Sequence, residues 1–148
     1  MAKSVKLYFA YGMNTNRDEM LYRCPSAVAL GRAVLPGYRF EFKSFATIVP
    51  SPKDSVEGVL WTITKTDELA LDMLEGYPKF YDKKTVSVDH KDQSYIAMTY
   101  IMSPREQSYP PTDGYYSMVS EGYQQFGLSQ QQLLEARSRS NKEIWIYE

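Results

Sequence analysis

Between Ala27 and Ile63 the sequence is a succession of short β-rich runs broken by turn residues, and this pattern constrains the fold more than any other feature. The runs fall at Ala27–Val34, Tyr38–Phe42, Thr47–Val49 and Val56–Ile63, with a Pro36-Gly37 turn between the first two. Branched and aromatic residues bounded by turn signals at this spacing form strands. Lys6–Tyr11 alternates ahead of Gly12, and Tyr81–Asp89 and Tyr95–Met102 read as a hairpin turning through His90 to Gln93. So many short strands in a small chain predict an α+β fold, a small mixed β-barrel or curled sheet with flanking helices.

The helices are signalled by their ends. A short one follows Gly12, capped by Thr15 or Asn16 and ending near Cys24-Pro25. A second starts at a Thr66 cap, carries Asp67 and Glu68 in its first turn, and stops at Gly76 in the left-handed conformation. A third spans Tyr115–Phe126 and is closed by Gly127. A fourth begins at Ser129, which with Gln132 makes a capping box, while Leu128 and Leu133 form a hydrophobic staple. The apolar tail Ile144–Tyr147 is expected to add a strand or to cover a sheet edge.

With 148 residues the chain is expected to be a single domain, 1–148, able to bury a core without staples. Seventeen Lys and Arg against eighteen Asp and Glu give no field for phosphate backbones or anionic lipid. Neither nucleic acid nor membrane is expected as a partner. The single cysteine, Cys24, cannot make an internal disulfide, and no apolar run approaches the ~20 residues of a membrane span. Met1–Lys6 carries no signal-peptide pattern, so the expected location is cytoplasmic. Most of the thirteen tyrosines are expected to pack as amphipathic wall residues with hydroxyls at the surface, and a few to line a polar pocket.

Two segments carry chemistry. Tyr8-Phe9-Ala10-Tyr11-Gly12-Met13-Asn14 is a strand entering a glycine turn before a helix, which leaves backbone N–H groups free to seat an anion. Leu71-Asp72-Met73-Leu74-Glu75-Gly76-Tyr77-Pro78 puts Glu75 on the last turn of a helix, where the dipole disfavours negative charge and raises a carboxyl pKa. Plainer readings compete: Gly12 as a turn glycine needed for its φ angle, Glu75 as an ordinary helix-end acid. Asp72, three residues before Glu75, could share its face and raise its pKa, or be structural. His90 has no second histidine to make a metal site, and Cys24 no histidine to activate it.

Together these segments, with Val56–Trp61 before the helix and Tyr81 after it, resemble the γ-glutamylcyclotransferase (AIG2-like) family over about Lys6–Met102, and more weakly from Tyr115 to Leu128. The resemblance implies a cofactor-independent enzyme whose small γ-glutamyl substrate cyclises to 5-oxoproline and releases an amine or amino acid. It implies Glu75 as the acid/base and Tyr8, Phe9, Ala10, Tyr11, Gly12, Met13 and Asn14 as the substrate loop. Tyr81 is expected to orient Glu75 or the substrate amide, and Tyr115 to be a pocket tyrosine. Met13 departs from the family's usual serine. The alternatives are a non-catalytic ligand-binding domain of the same fold and a pathway-specific cyclotransferase acting on a biosynthetic intermediate.

Overall fold

The computed structural model describes residues 5–104 and 108–147, with residues 142–147 described by backbone alone. Five strands, β1 (Lys6–Ala10), β2 (Val28–Lys43), β3 (Phe45–Ile63), β4 (Tyr81–His90) and β5 (Gln93–Met102), close into a barrel in the order β1-β3-β2-β4-β5. Neighbours are antiparallel except at the seam, where β1 meets β5 in parallel with Tyr8 opposite Met98. Four helices flank it: α1 (Arg17–Arg23), α2 (Lys65–Glu75), α3 (Asp113–Phe126) and α4 (Gln130–Tyr147). A 3-10 turn at Met13–Thr15 joins β1 to α1.

The four separate runs expected between Ala27 and Ile63 are two long strands. The Pro36-Gly37 pair is a register irregularity within β2, where Gly37 takes φ 86°, and the only reversal is at Ser44, with φ 67°. Proline is tolerated at such a bulge because no ladder hydrogen bond is needed from it there. The hairpin between β4 and β5 turns on Lys91 and Asp92, both at positive φ as a two-residue reversal demands.

Helix ends follow local chemistry with small displacements. Asn16, not Thr15, caps α1, accepting from the amides of Asp18 and Glu19. Thr64 caps α2 instead of Thr66, because Asp67 three residues on completes a reciprocal capping box with it. Gly76 (φ 63°) and Gly127 (φ 69°) end α2 and α3 in the left-handed conformation, as expected. At α4, Ser129 Oγ accepts from the Gln131 amide, but Gln132 does not return to Ser129: it bonds the Glu57 backbone and the Tyr123 hydroxyl, tying α4 to β3 and α3. The tail Ile144–Tyr147, expected to add a strand or to cover a sheet edge, adds no strand and continues α4 to Tyr147.

Phe9, Phe40, Phe42, Ile48 and Leu60 belong to one core and are essentially without solvent exposure, with Phe40 and Phe42 packed against Tyr123 and Tyr116 of α3. Gly58 lets β1 and β3 approach, since a Cβ there would lie 2.4 Å from the Ala10 carbonyl oxygen and 2.6 Å from Phe9 Cζ. Several tyrosines are inside, with hydroxyls bonded internally instead of reaching the surface. Tyr123 donates to the Tyr11 carbonyl, Tyr11 to that of Tyr100, and Tyr100 to Asp72. Such bonds offset the cost of burying a hydroxyl. No helix among the described residues is long and apolar enough to cross a membrane.

Candidate active site

A cavity of about 320 Å³ opens beside the junction of β1 and the 3-10 turn, and Glu75 from the end of α2 forms one wall. Gly76 fixes that placement by stopping the helix one residue later. Opposite, Tyr8, Tyr11, Gly12, Met13 and Asn14 line the cavity, as do Tyr81 and Tyr115. Phe9 and Ala10 of the expected substrate loop do not: they are buried in the strand, with the Phe9 ring over Gly58 and the Phe9 carbonyl accepting from Thr99 Oγ1 at 2.8 Å.

The turn meets the carboxylate directly. Asn14 Nδ2 donates to Glu75 Oε1 at 3.2 Å and to the Tyr8 hydroxyl at 3.0 Å. Arg23 decides which way that amide faces. Its Nη1 donates to Asn14 Oδ1 at 2.7 Å, and since a guanidinium has only donors, the amide must present NH₂ to Glu75. Arg23 Nη2 also donates to the Met13 thioether at 3.1 Å and pairs with Glu19 at 3.4 Å. The sequence reading missed Arg23, whose only signal is a basic residue in the last turn of the helix capped by Asn16. Phe45, Ala46, Leu74, Phe80, Thr99 and Tyr100, also unforeseen, complete the lining.

Gly12 serves by smallness. Its φ is −112°, so no left-handed geometry is involved, but a Cβ would stand 2.9 Å from Ala46 Cβ and 3.3 Å from the Tyr115 hydroxyl. Ala46 is itself pinned: its amide donates to the Tyr115 hydroxyl at 3.0 Å and its carbonyl accepts from Tyr81 at 2.6 Å. Tyr81 therefore gives its proton to the cavity wall and not to Glu75. The first hydrogen bond of the 3-10 turn is Thr15 N to Gly12 O, so the amides of Met13 and Asn14 precede it and have no partner within the turn.

Burial pushes the Glu75 carboxyl up to about 7, against the opposing pull of Arg23 and the Asn14 hydrogen bond. Desolvation is the leading cause. Asp72 takes no part, bonding Tyr100 at 2.6 Å and Lys83 at 3.2 Å. Burial raises the Tyr8 and Tyr100 hydroxyls far above their usual range and Tyr115 to about 12, so near neutrality Glu75 is the group poised to exchange a proton. Arg23→Gln, which removes the charge favouring carboxylate, is expected to move the Glu75 titration upward from about 7, read from the ¹³C shift of its carboxyl carbon. A midpoint that stays or falls would refute the assignment.

Other candidates are accounted for. Cys24 is buried, its thiol 3.7 Å from the Asp67 carbonyl and pushed up to about 11 by burial, an inert thiol. His90 sits at the end of β4 with Nδ1 2.8 Å from the Arg32 carbonyl.

Fold and site define a closed-barrel α+β protein that presents one proton-binding carboxylate and an amide-bearing turn to a small-molecule cavity. The family model described as "Gamma-glutamyl cyclotransferase, AIG2-like" matches residues 8–118, and the chain belongs to that family. Relatives named gamma-glutamylcyclotransferase include those of Mus musculus, 30% identical over 138 residues covering 84% of this chain and 73% of the mouse protein, and Homo sapiens, 30% identical over 135 residues covering 82% and 72%. A solved structure named gamma-glutamyl cyclotransferase superposes with TM-score 0.79 at 28% identity, covering 93% of this chain and 87% of that one. A Homo sapiens crystal structure gives 0.80 at 29% identity, covering 94% and 88%.

Proposed function

We infer that this protein is a γ-glutamyl cyclotransferase that converts a γ-glutamyl amide to 5-oxoproline and a free amine, with Glu75 as the acid/base. The observation that carries this reading is the 3.2 Å contact between Asn14 of the turn and a Glu75 carboxyl raised to about 7. The substrate's α-carboxylate would lie on the Met13 and Asn14 amides, which holds its ammonium within reach of Glu75. Glu75 takes a proton from the ammonium, the freed amine attacks the γ-carbonyl, and the tetrahedral species collapses by breaking the original amide C–N bond. Glu75 returns that proton to the leaving nitrogen, and the ring nitrogen, left with two hydrogens by the attack, passes one of them to the departing amine, which leaves as an ammonium. Nucleophile and electrophile belong to one molecule, so the step calls for no cofactor, and holding the chain in its cyclising geometry can contribute on the order of 7 kcal/mol or more.

Mass-spectrometric detection of 5-oxoproline over a panel of γ-glutamyl amides and γ-glutamyl amino acids tests the reading, and a panel without product refutes it. Met13 gives a finer check. Its sulfur accepts one Arg23 hydrogen bond, a role a serine hydroxyl can also fill, while the anion seat is backbone. Met13→Ser is therefore expected to keep the reaction and to change apparent affinity by about 1 kcal/mol, roughly fivefold. Activity present only in Met13→Ser would instead mean that the natural chain is a silent binder.

A further inference from the structure

The cavity is polar at its floor and apolar at its mouth, and this asymmetry bears on the amine that leaves. The inference rests on the cyclotransferase reading above. The floor residues Tyr8, Tyr11, Thr99 and Tyr100 are buried, whereas Phe45 and Leu74 at the lining are 45% and 48% exposed and so form the rim. Phe45 stands edge-on to Tyr115 and Phe80, with ring centroids 5.2 and 6.2 Å apart, and Phe80 continues to Tyr81 at 5.2 Å. The result is a continuous run of rings from Tyr81 to the exposed Phe45, along a cavity that Leu74, the residue adjoining Glu75, also lines. The glutamyl head must reach Glu75 and the turn, so the part of the substrate that varies lies along these rings.

Charge sharpens the point. Among the described residues that line the cavity, Arg23 is the one cation, and its guanidinium is engaged by Asn14, Met13 and Glu19. A γ-glutamyl amino acid brings two carboxylates. The backbone turn can seat the first; the second would meet no cation among the lining residues and would keep the half-exposed Phe45 and Leu74 wet, whereas an apolar group there would cover them. We propose that the amine released here is an apolar aryl- or alkylamine without a carboxylate, lodged against Phe45, Leu74 and Phe80.

The test uses the full chain and three compounds: γ-glutamyl-phenethylamide, γ-glutamyl-phenylalanine, which differs from it by one carboxylate, and γ-glutamyl-ethylamide, which lacks the ring. The phenethylamide is expected to have the highest kcat/KM for 5-oxoproline release, at least tenfold above phenylalanine and above ethylamide. Leu74→Lys, a change at an exposed position, should then lower the phenethylamide-to-phenylalanine ratio by tenfold or more; taking a ratio cancels any effect on Glu75. Phenylalanine turned over as well as phenethylamide, ethylamide as well as either, or a ratio unmoved by Leu74→Lys overturns the proposal while leaving the cyclotransferase reading intact. Absence of 5-oxoproline from every γ-glutamyl compound overturns both.

Discussion

Glu75→Gln is expected to lower turnover of any active γ-glutamyl substrate by about 10² to 10⁴ while leaving substrate affinity within a few-fold, because glutamine keeps the shape and the accepted hydrogen bond but neither takes up nor releases a proton near neutrality. The wild-type kcat/KM should show an acidic limb with a midpoint near 7, the value to which burial raises Glu75, and the variant should lose that limb. Stability should respond in a linked way. Below the ordinary carboxyl pKa the group is protonated folded or unfolded and contributes nothing. As pH rises toward 7, the unfolded chain releases the proton and the folded chain retains it, so wild-type stability declines through that window. Glu75→Gln escapes the decline. Its Tm should match wild type near pH 4 and exceed it by a margin that grows to pH 8; turnover within a few-fold of wild type, or a Tm gain independent of pH, places the base elsewhere.

Gly122→Ala is expected to be the most damaging small substitution in α3. A Cβ at Gly122 would fall 2.2 Å from Thr15 Oγ1 and 2.7 Å from the Asn16 amide nitrogen, and the second is backbone that cannot swing aside. Overpacking of this kind costs about 3 kcal/mol, a Tm fall of roughly 6–12 °C in a protein of this size. The strain would land on the substrate turn, since Thr15 Oγ1 donates to the Gly12 carbonyl at 2.8 Å and Asn16 caps α1, so activity should drop even well below the melting transition. Gly114→Ala is the control: it lies in the same helix with nothing within 4 Å of the added carbon, and should be neutral or slightly stabilising. Equal Tm values for the two variants would show that α3 does not bear on the turn as closely as described.

What was legible in the sequence is what short-range chemistry determines. Gly76 and Gly127 announced their helix ends because no other residue takes the left-handed conformation so readily. Glu75 and the Gly12 turn were visible as a pair because the family motif sets each next to a structural stop. Errors arose where a choice between neighbours depends on tertiary partners. Gln132 has the spacing for a capping box, yet Glu57 and Tyr123 offer its amide better-buried partners. Pro36-Gly37 has the composition of a turn, yet β3 pairs along both sides of it and makes it a bulge. Arg23 could not be read as a site residue because its importance lies in contacts to Asn14 and Met13, made when α1 packs back over the turn. Phe9 and Ala10 lie inside the motif but do not line the cavity, the Phe9 ring lying against Gly58 instead, which contiguity in sequence does not reveal.

The parallel seam between β1 and β5 has a consequence for the order of events in the chain's life. Tyr8 lies across from Met98, so the barrel cannot close until the eighty-nine intervening residues have been made and arranged, and contacts of such long range form slowly. Until then Glu75 is an ordinary water-exposed acid, because the burial that raises its pKa does not yet exist. A nascent or half-folded copy therefore has the motif without the chemistry, and the proton exchange near neutrality comes into being only when the seam is sealed.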